Sequence, residues 1–145
     1  MRGFIKIIMA LMVVGTMVGM ADEAAAQNVD VTVRSISAKK DGSYFDPKLK
    51  DLEAKLTRAF SGYSYFKLVQ KDTFTLEKSE SETVTVPGGT DVTLTFHGLA
   101  GDFYKMGLSI ADKLSTTLRA SSGSTFFQAG LRYKSGILIL AITVE

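Results

Sequence analysis

The side chains of this 145-residue chain that could carry chemistry are few and scattered. His97 is the only histidine; it follows Phe96 at the end of an alternating stretch and stands beside Gly98. A general base or a metal ligand needs partners that orient it and share its charge. His97 has no second histidine and no carboxylate cluster near it in sequence, so it reads as a strand-end surface residue. The acids are dispersed too. Asp46 stands before Pro47 and suits a helix cap, and Glu77, Glu80 and Glu82 fall in a charged, solvated stretch. No pair is spaced for shared acid–base work, and the acidic, glycine-centred pattern of a calcium loop is missing. Ser121, Ser122 and Ser124 surround Gly123 as a turn, without the Gly-x-Ser-x-Gly frame of a nucleophile elbow. Gly88-Gly89 is not followed by the Gly-Lys-Ser/Thr of a phosphate loop and reads as a hairpin turn. There is no cysteine, which excludes thiolate zinc sites and disulfide staples. No catalytic residue, metal ligand or cofactor is expected, and the chain is read as a non-enzyme.

The aromatic residues offer binding instead of reaction. Tyr44 and Phe45 precede the expected helix, and Tyr63, Tyr65 and Phe66 follow it. If the two connections converge, Tyr44, Phe45, Tyr63 and Tyr65 make a patch for a partner or a sugar. The competing reading packs most of these rings into the core. The lack of tryptophan weighs against a carbohydrate site, although tyrosine also stacks on sugars.

The elements that would position these residues are mostly strands. Val29, Val31 and Val33 alternate with polar residues, which predicts a first strand to about Ala38. Asp46 and Pro47 open a helix over about 46–60, where Leu49, Leu52, Leu56 and Ala59 or Phe60 form one apolar stripe. Gly62 is a plausible stop. Period two then returns. Strands are expected at Tyr65–Val69, around Phe74 and Leu76, and around Val84 and Val86, with a polar loop over 78–82. Pro87-Gly88-Gly89 turns the chain into Val92–Phe96, and Gly98 and Gly101 bracket the next turn. Tyr104–Ile110, Leu114–Leu118 and Phe127–Leu131 follow, separated by turns at Asp112-Lys113 and around Gly123. Ile137 to Ile142 is apolar on both faces, so it belongs in the middle of a sheet and covered on both sides. The expected class is α+β: a mainly antiparallel sheet or flattened sandwich with one amphipathic helix packed on a face. A full sandwich with the helix plugging one end is the competing layout.

The first 26 residues have the layout of a secretory leader. Arg2 and Lys6 are basic, Ile7–Ala21 is uncharged and apolar, and Ala24-Ala25-Ala26 ends in small residues. Cleavage is expected after Ala26, with Ala21 as the alternative, leaving 27–145 as a single β-rich domain. An uncleaved leader would act as a membrane anchor, but the apolar run is shorter than the about 20 residues a spanning helix needs. A lipoprotein leader requires a cysteine that is absent. Arg2-Gly3-Phe4 resembles a prepilin start, but Ile8 stands where that family has a glutamate. The leader holds two of the 17 basic and two of the 15 acidic residues, so the net charge stays +2 without it. That balance argues against nucleic acid. The short leader and the lack of cysteine favour the periplasm or outer surface of a Gram-negative bacterium.

Two stretches carry resemblances. Leu49, Leu52 and Leu56 leading into Phe66, Leu68 and Val69 are similar to the helix and second strand of a TolB-N or CsgG-like strand–helix–strand unit in envelope proteins. The segment from Thr116 to Val144 is loosely similar to late strands of secretin rings, without that family's Val-Pro-x-Leu-Gly elements. As a whole the chain resembles small exported envelope proteins of Gram-negative bacteria. These likenesses imply a setting and no site residues. The expected function is a non-catalytic envelope module that binds a protein partner, self-associates or joins an assembly. The alternative is a small-ligand or glycan-binding β-domain using the aromatics near the helix.

Overall fold

The computed structural model describes residues 27–145, and the leader expected over 1–26 lies outside the described residues. β1 (Asn28–Lys39) opens the domain, followed by the two-residue β2 (Tyr44–Phe45), a 3-10 turn Pro47–Leu52 and α1 (Glu53–Ala59). The remaining elements are β3 (Tyr65–Glu77), β4 (Ser81–Thr85), β5 (Asp91–Ala100), β6 (Phe103–Ile110), β7 (Leu114–Ala120), β8 (Ser124–Tyr133) and β9 (Gly136–Val144). They form a five-stranded sheet in the order β2-β3-β1-β9-β8 and a four-stranded meander in the order β4-β5-β6-β7. Every pairing is antiparallel except β2 with β3. The class is the expected α+β, in which a sandwich is combined with a helix on the outer face of its larger sheet.

Two apolar cores lie on opposite faces of that sheet. Val29, Val31, Val33, Leu138, Leu140, Ile142 and Val144 face the meander's Val92, Leu94, Phe96, Met106, Leu108 and Ile110. On the other face Ile36, Ala38, Phe66, Ile139 and Ala141 pack under Leu49, Leu52 and Leu56 of the helical segment. β9 contributes to both, which is why its sequence is apolar at consecutive positions. It lies between β1 and β8, interior as its composition predicts.

The two cores are displaced along β1. Its odd positions run Val29, Val31, Val33 and then Ser35, Ser37, Lys39, while its even positions run Thr32, Arg34 and then Ile36, Ala38. Each face is thus apolar for half its length. β3 follows this change through a bulge: Ser35 pairs with Gln70 and Ile36 with Leu68, leaving Val69 as the extra residue. Leu76 and Phe74 therefore pack into the sandwich while Phe66 and Leu68 pack under the helix. β8 uses a second bulge at Ala129-Gly130, with Gly130 at φ +121° where a side chain would be strained.

The helical segment begins as 3-10 and becomes α at Glu53. Its buried leucines carry both periods, three residues from Leu49 to Leu52 and four from Leu52 to Leu56. Three local expectations change. Tyr65–Leu76 is one strand because β1 pairs with it continuously through Lys71 and Asp72. The loop over 78–82 is shorter than expected: Ser81 and Glu82 already pair with β5, and hydroxyl bridges Ser81–Thr95 at 2.6 Å and Thr83–Thr93 at 2.8 Å tie the two strands. Gly98 lies inside β5 rather than in a turn, beside a bulge at His97.

Candidate functional site

The polar continuation of β1 beyond the sandwich core forms one wall of a cleft of about 220 Å³. Ser37 and Lys39 of β1, Tyr65, Lys67, Leu68 and Val69 of β3, and Tyr133 and Lys134 at the end of β8 line it. The register explains the grouping: Ser37 stands opposite Lys67 and Lys39 opposite Tyr65. Tyr44 of β2 pairs with Tyr65, and their rings lie 5.5 Å apart. The Lys39 ammonium sits 4.6 Å from the centre of the Tyr65 ring, and the Lys134 ammonium 5.6 Å from that of Tyr133. Both distances are within cation–π range.

The adjoining turn is held by Ser64. Its hydroxyl donates to the carbonyls of Lys40 and Gly42, its N–H donates to the Lys39 carbonyl, and its own carbonyl accepts from the Tyr44 N–H. Gly42 is at φ +86°, a conformation that glycine tolerates best. Asp46 anchors the other side. It is 6% exposed, and its carboxylate accepts from the backbone N–H of Lys48 at 3.0 Å and of Leu68 at 3.0 Å. The Lys48 N–H holds the carboxyl below its usual range; burial opposes this, and the Leu68 N–H adds to it. One side chain thus caps the helical segment and ties it to β3 beside the Val69 bulge.

The four aromatic residues singled out in the sequence divide between two faces. Tyr44 (43% exposed) and Tyr65 flank the cleft. Phe45 stacks at 5.6 Å on Phe66, and Tyr63 meets Phe60 edge-on at 6.4 Å, both against the helix core. The Lys40 ammonium lies 5.4 Å from the Tyr63 ring. His97 is exposed at the β5 bulge, and its ring lies over Gly107, where a Cβ would come within 2.8 Å of Nε2. Among the described residues no group of three histidine, cysteine, aspartate or glutamate side chains is placed to hold a metal.

Lys39 and Lys134 went unrecognised in the sequence because each stood in a stretch read as a turn, Lys67 because it stood in a strand read as short and apolar, and Tyr133 because it stood beside a turn. The available signal was the phase of β1, in which Ser35, Ser37 and Lys39 continue the face begun by three valines. The hairpin tip between β5 and β6 was also missed: Leu99 is 53% and Phe103 45% exposed.

A second groove, of about 370 Å³, lies on the helix side, where Thr32, Arg34, Lys71, Thr125 and Thr143 are not covered by apolar packing. Its main cation is already paired at both terminal nitrogens, while its buried Nε has no partner. Arg34 donates from both terminal nitrogens to the two oxygens of Asp51 at 3.0 Å, and this fork holds the Asp51 carboxyl below its usual range. The Tyr–Lys cleft differs, since no carboxylate lines it. Among the described residues the ion pairs are Arg34–Asp51 and Lys50–Glu53; Lys39, Lys67 and Lys134 form none, while the charge of Lys67 acts on the nearby Asp46 carboxyl and helps lower it. Compared with family models, curated proteins and solved structures, the chain matches none.

Proposed function

We propose that the protein is a non-catalytic module of the Gram-negative cell envelope that binds a protein partner, or a second copy of itself, where Tyr44 and Tyr65 stack beside Lys39. The observation that carries this reading is the exposed Tyr44 ring against the half-buried Tyr65 ring, with the Lys39 ammonium over Tyr65 and no carboxylate lining the cleft. Tyrosine presents a large, stiff surface that loses little entropy on contact, and such rings dominate protein interfaces. The leader-like first 26 residues support the exported setting.

The test is capture from gently solubilised envelope with tagged wild-type protein, Tyr44→Ala, Tyr65→Ala and His97→Ala. Wild type and His97→Ala are expected to retain one stoichiometric partner, and the tyrosine variants to lose it while staying folded. Equal capture by all four removes the Tyr44–Tyr65 face from consideration. Loss of a measured activity on changing His97 alone, with the fold intact, overturns the non-catalytic reading. The two rings that line the cleft favour a second reading, a small ligand or glycan held between Tyr65 and Tyr133. A change in tyrosine fluorescence on adding one member of a sugar panel would support that reading, and a flat response would remove it.

A further inference from the structure

The cations of the cleft are spread in a row, not gathered at a point. Lys67 is on β3, Lys39 on the neighbouring β1, and Lys134 just beyond β8, in a sheet ordered β3-β1-β9-β8. Strands lie about 4.8 Å apart, so the row runs roughly 10–14 Å across the sheet. In an extended chain, side chains on one face recur about every 6.8 Å, and three of them span roughly the same length. A single phosphate is too small to meet the whole row. The cations are also lysines, point charges without the flat fork that suits one bidentate oxyanion. Two of them are already held over tyrosine rings, which lowers the ordering cost of binding.

Resting on the protein-binding reading above, we propose that the segment docking in this cleft is an extended acidic peptide. Alternate carboxylates meet Lys67, Lys39 and Lys134, and the chain passes Tyr65 and Tyr44 at the β2 end. Charge complementarity selects the partner, and the rings supply the apolar contact.

The test titrates dye-labelled hexaglutamate, hexaglutamine and, separately, a hexose 6-phosphate into the full chain, with backbone amide shifts recorded by NMR. Hexaglutamate is expected to bind saturably, to weaken as salt rises, and to shift amides at 37–39, 65–69 and 133–135. The double variant Lys39→Gln/Lys67→Gln is expected to weaken binding about tenfold, equivalent to about 1.4 kcal/mol. Its urea midpoint should match wild type, and Lys105→Gln, exposed near the opposite, β5–β6 end of the meander, should change nothing. Equal weakening by Lys105→Gln shows attraction to overall charge and overturns the proposal. So does equal binding of hexaglutamine, or saturable binding of the sugar phosphate without hexaglutamate. If Tyr44→Ala loses the envelope partner while the lysine double variant keeps it, the protein-binding reading stands and the acidic segment falls. If neither variant loses it, both fall.

Discussion

The two faces of the five-stranded sheet solve the same problem at different ends. Toward the start of β1, Val29, Val31 and Val33 are buried against the meander, and the opposite face carries Thr32 and Arg34. Toward its end, Ile36 and Ala38 are buried under the helical segment, and the opposite face carries Ser37 and Lys39. Neither covering layer spans the whole sheet. Each therefore leaves a polar strip on its own side, and the Tyr–Lys cleft and the Arg34 groove lie on those strips. They differ in charge balance. Arg34 is neutralised by Asp51 and helps fasten the helical segment to the sheet, whereas among the described residues the lysines of the other strip form no ion pair.

The comparison can be broken most forcefully in the apolar layers. Leu140 is buried in the sandwich and Leu56 under the helix. Leu140→Ala is expected to cost about 4 kcal/mol and Leu56→Ala about 2–3 kcal/mol, read from urea midpoints. Amide exchange should sharpen the contrast: Leu140→Ala lowers protection in both sheets, while Leu56→Ala lowers it first in the helical segment and β2. Identical exchange patterns would mean that the two layers open as one unit.

Asp46 sets the next effect, because it joins the helical segment to β3. Asp46→Ala is expected to cost about 2 kcal/mol at neutral pH through the lost cap and the stranded Leu68 N–H. The folded carboxyl lies below its ordinary value of 3.8. Its contribution is therefore fully present above the unfolded pKa and is lost as pH falls through the folded one. The gap between wild type and variant should be constant above about pH 5 and shrink below pH 4. A gap unchanged down to pH 2 would contradict the role given to the ionised form.

The smallest effect belongs to the Arg34–Asp51 clamp, whose Asp51 side chain is 62% exposed. A double-mutant cycle with Arg34→Ala and Asp51→Ala is expected to return a coupling of about 0.5–1 kcal/mol that diminishes with salt. A larger coupling would make this strip a main support of the helical segment and erase its contrast with the apolar layer.

Much of the fold was legible because burial leaves a period in the sequence. Alternating valines marked β1, leucines at spacings of three and four marked the helical segment, and six consecutive apolar residues marked β9 as interior. The candidate site was half legible. Tyr44 and Tyr65 stood out as rings beside a helix, but nothing local separated them from Phe45 and Tyr63, which pack against the helix core. That division comes from register: Tyr44 pairs with Tyr65 and Phe45 with Phe66, so neighbouring residues leave the sheet on opposite faces.

The sequence by itself determined the class of the fold, the interior place of β9 and the cap at Asp46, because each depends on residues close together in the chain. Only the tertiary structure decided the Tyr–Lys cleft. Its lysines come from positions 39, 67 and 134, and they share a surface because β1 pairs with both β3 and β9. The Val69 bulge also turns Lys67 to the cleft side and Leu68 toward the helix core. A one-residue insertion in a strand reverses which face every later side chain occupies, and that is set by pairing with a distant strand.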